Sequence, residues 1–163
     1  MTFAELTGLL QEFCREKAGL LADHVAAAAG VTSYDFNNTY QYVINRDETH
    51  VSWLRTALEE LGAAVADHPA APPAPPSARG QDAELGLIAE DQRRARDFVD
   101  RWTPRVGTMT NARHQKMLGV ILGETLEQVR FFDQMLEGRD DVLGRRHANV
   151  GTGGGVLPAR WRE

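Results

Sequence analysis

The chain has 163 residues, 18 Lys and Arg against 23 Asp and Glu, and a formal net charge of −5, which suits one domain with a sizeable core and, with the charges intermixed, argues against a nucleic-acid partner. No stretch approaches the roughly 20 apolar residues of a membrane span, and Met1–Leu6 carries no signal-peptide pattern. The single Cys14 has no partner for an internal disulfide and fits a reducing cytoplasm.

The first predicted helix runs from about Thr2 to Ala29, with Leu6, Leu9, Phe13, Glu16, Leu20, His24 and Ala27 at spacings of three and four and Gly30 as its stop. The second covers about Asp35 to Leu61, with Asp35 as cap, Gly62 after it, and Tyr40, Val43, Asp47, His50, Leu54, Ala57 and Leu61 on one stripe. Residues 63–81 hold the Pro- and Ala-rich run His68–Ser77, which favours extended polyproline II. Antiparallel neighbours need only about 2 to 8 connecting residues. A spacer of this length, at about 3 Å per residue, can instead cross a helix of about 37 Å, so the second and third helices can run parallel.

The third helix spans about Gln81 to Trp102, with Glu84, Ile88, Asp91, Ala95, Phe98 and Trp102 on one face and Pro104 and Gly107 closing it. The fourth spans about Asn111 to Leu136, with His114, Met117, Ile121, Glu124, Glu127 or Gln128, Phe131 and Met135 inward and Gly138 as the stop. Residues 138–163 are basic and Gly-rich, and are read as a flexible tail. The expectation is all-α: a four-helix bundle over residues 1–137, made of two antiparallel hairpins and a long crossover.

Each apolar stripe is interrupted near its middle by potential metal donors: Glu16, Asp47 with His50, Asp91, and Glu124 with Glu127. An unpaired buried carboxylate costs several kcal/mol or shifts its pKa, so acids meeting at one level ask for a compensating cation. Asp47 and His50, like Glu124 and Glu127, are three apart and share a helix face. Two such pairs suggest two metals. Other polar groups have blander readings. His24 suits an end-of-helix cation or packed core residue, Glu12, Glu48 and Glu90 suit solvated flanks, His114 suits a helix-start packing residue, and Tyr40 suits core filling.

This arrangement resembles the ferritin-like superfamily of carboxylate-bridged di-metal bundles, through Asp47-Glu48-Thr49-His50 and Gly123-Glu124-Thr125-Leu126-Glu127. Asp47 and Asp91 stand where the family usually has Glu, and Glu127 where a second His is usual. The resemblance implies two iron or manganese ions held by Glu16, Asp47, His50, Asp91, Glu124 and Glu127, and an oxidoreductase or iron-handling role using dioxygen or peroxide. The competing reading is a metal-free helical interaction module whose inward acids pair with bases such as Lys17 and Arg94. A homodimer is expected, with Trp53 as a candidate for its face. The tail segment Val156–Glu163 resembles, in organisation only, the tails that load cargo into encapsulin shells, and would dock on a protein partner.

Overall fold

The computed structural model describes residues 1–64 and 80–144. The Pro-rich run and the tail segment from residue 145 lie outside the described residues. Four helices form: α1 (Phe3–Gly30), α2 (Tyr34–Glu60), α3 (Gln81–Gly107) and α4 (Ala112–Leu136). Among the described residues there is no strand, and no helix is long and apolar enough to cross a membrane.

Local chemistry sets the ends. Thr2 and Glu5 form a reciprocal capping box at the start of α1. Asn111 Oδ1 accepts from the His114 backbone N–H at the start of α4. At α2 the cap is Ser33, whose hydroxyl accepts from Phe36 N, rather than Asp35. Gly62 (φ 65°) and Gly138 (φ 81°) supply the left-handed residue that ends α2 and α4. Ala63 N donates to Leu58 O and Arg139 N to Gln134 O, the six-to-one bond of that stop. Helix α3 runs five residues past the expected Trp102, with Pro104 inside its last turn. Buried Trp102 and Val106 pack that turn against the core, which offsets the missing proline N–H.

Each helix packs on two neighbours, α1 on α2 and α3, and α4 on α2 and α3. Glu84 near the start of α3 binds Ser33, while Arg105 near its end binds Glu12, so α1 and α3 run antiparallel. Arg113 with Glu60 and Gln128 with Asp47 make α2 and α4 antiparallel as well. The diagonals of this square, α1 to α4 and α2 to α3, are spanned only by long side chains.

The core falls into two apolar halves. One contains Phe13, Phe98 and Trp102 with Leu10, Leu54 and Leu118, and Phe13 meets both other rings edge-on at 5.0 and 4.8 Å. The other contains Tyr40, Val43, Ile88, Phe132 and Met135. Between them lies a layer of buried polar side chains.

Candidate functional site

Lys17, named above among the bases of the metal-free reading, is the centre of that layer. Its ammonium lies 2.7 Å from Asp47 Oδ1, and both side chains are fully buried. It also donates to the Thr125 hydroxyl at 3.0 Å, reaching across the α1–α4 diagonal, while the Thr125 hydroxyl donates to the Ile121 carbonyl one turn back. The Phe98 ring, 5.8 Å from the ammonium, closes one side. Gln128 Nε2 donates to Asp47 Oδ1 at 2.7 Å, and His24 Nδ1 lies 2.7 Å from Oδ2. An ionised carboxylate only accepts, so that ring nitrogen carries a proton. Burial pushes the Asp47 carboxyl up, but Lys17 and His24 outweigh it and hold the group well below the usual carboxylate range.

A second set branches from this centre. His50 Nδ1 is 3.8 Å from Asp47 Oδ1, and Nε2 is 2.9 Å from Glu124 Oε2. Burial and the nearby Lys17 ammonium push the His50 pKa below its ordinary value, against the pull of Glu124 and Asp47. Arg46 clamps Glu124 through Nε to one oxygen and Nη2 to the other, each at 2.8 Å. Burial raises the Glu124 carboxyl, and the bonds from Arg46 and His50 bring it net down. His24 Nε2, His50 Nδ1 and Gln128 Oε1 are buried with no hydrogen-bond partner in the protein.

Asp91 sits in the layer but on other company. Tyr40 donates to its Oδ2 at 2.8 Å, and burial pushes its carboxyl up, against the favourable His24 and the Tyr40 bond. Glu16 lies at the bundle's flank, where Arg101 Nη2 and the Trp102 indole N–H both donate to its Oε2 at 2.7 Å. Glu127 is exposed and pairs with Arg130 on its own helix.

The six sequence-derived candidates therefore separate into three places. Asp47, His50 and Glu124 form one chain, Asp91 stands apart with Tyr40, and Glu16 and Glu127 lie outside the layer. The inward residues of α1 and α4 are Lys17, Thr125 and Gln128, one position from Glu16, Glu124 and Glu127. A step of four from Phe13 gives Lys17, and a step of four from Ile121 gives Thr125; that spacing was the available signal. His24, assigned above to a helix end or the core, is a partner of Asp47.

The geometry does not fit the two-ion centre that the ferritin-like resemblance implies. Both Asp47 oxygens are taken, one by an ammonium and one by an imidazole N–H, and both Glu124 oxygens by a guanidinium. Among the described residues no three His, Cys, Asp or Glu side chains are grouped to hold an ion. Organic cations stand where metal ions would be needed.

A groove of about 560 Å³ opens on the opposite side of α1 and α2, floored by Ala18, Ala22, Val51 and Ser52 and edged by Glu48 and Arg55. Comparisons of this chain with protein-family models, curated proteins and solved structures found no match, so the functional reading rests on this geometry.

Proposed function

We propose that this protein is a metal-independent helical interaction module of ferritin-like organisation, in which Lys17 supplies the positive charge that the buried acids require. The observation that carries this is the fully buried Lys17–Asp47 pair, completed by Thr125, His24 and Gln128. A buried ion pair gives modest net stability, but its demand for matched partners can fix helix register. Here it draws on α1, α2 and α4 together. The antiparallel contacts of α1 with α3 and of α2 with α4 support the crossover between hairpins. Buried, unpaired Cys14 supports a cytoplasmic setting.

Elemental analysis of protein expressed with iron and manganese supplementation tests this reading. The expected result is no bound metal and a thermal midpoint indifferent to chelator. About two ions per chain, lost in Asp47→Ala and Glu124→Ala, would instead establish the di-metal oxidoreductase or iron-handling reading.

A further inference from the structure

The α1/α2 groove combines two features. Its floor is built of small or apolar side chains, Ala18 and Ala22 on α1 with Val51 and Ser52 on α2, so another backbone can approach closely. Its α2 edge carries charges that the fold leaves unused. Many arginines of the bundle are engaged, among them Arg46 with Glu124, Arg94 with Asp23, Arg101 with Glu16, Arg105 with Glu12 and Arg113 with Glu60. Among the described residues, Glu48, Arg55 and Glu59, all exposed beside this apolar floor, form no ion pair or side-chain hydrogen bond.

The order of Glu48 and Arg55 along α2 suits one occupant. Glu48 and Arg55 are seven residues apart, close to two helical turns, so they lie on the same side of α2. Midway between them come Val51 and Ser52, the residues of the groove floor. If a second α2 crosses antiparallel with the two-fold axis at that midpoint, Arg55 of each copy falls opposite Glu48 of the other. The acid and base are then satisfied twice by one symmetry operation, and the small residues sit at the crossing where space is least. A small anionic ligand would answer Arg55 but meet Glu48 and Glu59, and a cationic one would answer the acids but meet Arg55. A copy of the same surface answers both, and Val25, 42% exposed at the groove's rim, gains apolar cover.

We infer that the α1/α2 groove is a two-fold self-association surface, with Arg55 of one copy paired to Glu48 of the other. This rests on the interaction-module reading and names its partner as a second copy of the chain. Trp53, the sequence-derived candidate for a dimer face, does not line this groove and packs beside His50 and Arg46 of its own helix.

Sedimentation velocity on the full chain over a concentration series tests the inference. The wild type should dimerise. Glu48→Arg and Arg55→Glu should each weaken the dimer at least tenfold, since each places like charges together at two symmetric contacts. The double variant Glu48→Arg/Arg55→Glu should recover dimerisation, because the swap restores both pairs. A wild type that stays monomeric at its highest soluble concentration overturns the inference. So does a dimer indifferent to the single changes, or one that the double variant does not restore. Circular dichroism checks that these surface variants keep their helices. Metal found by elemental analysis would count against the module reading and leave the sedimentation result to stand or fall separately.

Discussion

The Tyr40 hydroxyl reaches Asp91 Oδ2 at 2.8 Å and so ties α2 to α3 across a diagonal of the bundle that no backbone contact spans. Asp91 is nearly sealed from solvent, and burial raises its pKa above the ordinary value. The folded protein then holds this proton more tightly than the unfolded chain. Its contribution to stability is complete below the unfolded pKa of about 3.9 and is lost as pH rises through the folded value. Asp91→Asn keeps an acceptor for Tyr40 and removes the charge, so it should raise the urea midpoint at pH 7 and leave it nearly unchanged at the acid end. A lower midpoint than wild type at pH 7 would contradict this account. Tyr40→Phe, which strips the buried carboxyl of its donor, should cost about 1–3 kcal/mol.

Lys17→Met preserves most of the side-chain volume but leaves Asp47 without its ammonium in a dry interior. Loss of one member of a buried pair costs about 3–5 kcal/mol, and denaturant titration should show a loss of that order. Lys17→Met/Asp47→Asn should recover a large part of it, because the uncompensated charge is gone. Equal losses in the single and double variants would mean that packing of the lysine stem, rather than charge, is what matters.

Acid should weaken the fold before any carboxylate titrates in the unfolded chain. Burial lowers the pKa of both His50 and His114, with Lys17 adding to the effect at His50 and Arg113 at His114. The unfolded chain therefore takes up these protons first. Stability from these groups is complete above about pH 6.5 and is lost as pH falls from there through the folded values. Urea midpoints measured between pH 8 and pH 5 should fall below about pH 6.5, and His50→Gln should flatten part of the slope. A flat wild-type profile over that range would remove His50 and His114 from the account.

Glu16 should behave as a flank residue. Its ion pair with Arg101 is partly exposed and contributes about 0–1 kcal/mol, but it also accepts from the indole of fully buried Trp102. Glu16→Gln, which retains an acceptor, should lie within about 1 kcal/mol of wild type, whereas Glu16→Ala should cost about 1–3 kcal/mol by orphaning the indole N–H. A Glu16→Gln variant as damaged as Asp47→Ala would return Glu16 to the centre of the bundle.

The four helices were legible in the sequence because their apolar residues recur at helical spacing and Gly30, Gly62 and Gly138 punctuate them. On α2 and α3 the inward stripes were legible too: Tyr40, Val43, Asp47, His50 and Leu54, and Ile88, Asp91, Ala95 and Phe98, are all buried. On α1 and α4 the stripes were legible in part, since Leu6, Phe13, Leu20, His24 and Ala27, and His114, Ile121 and Met135, are buried, but their middles slipped by one position. Polar residues are adjacent there, Glu16 beside Lys17, Glu124 beside Thr125 and Glu127 beside Gln128, and periodicity cannot choose between neighbours about 100° apart. What decides is tertiary. Lys17 can turn inward only because Asp47, 30 positions away in the chain, waits there. Lysine is ordinarily an exposed residue, and the step of four from Phe13 is a weak signal against that preference.

Dehydrating Lys17 alone, or Asp47 alone, is costly, and the cost disappears only when α1, α2 and α4 close around both charges in the same event. The α1–α2 hairpin alone would hold both charges without Thr125 and Gln128, the partners that α4 brings. Partly folded forms of this chain are thereby disfavoured, and unfolding should proceed as a single cooperative transition.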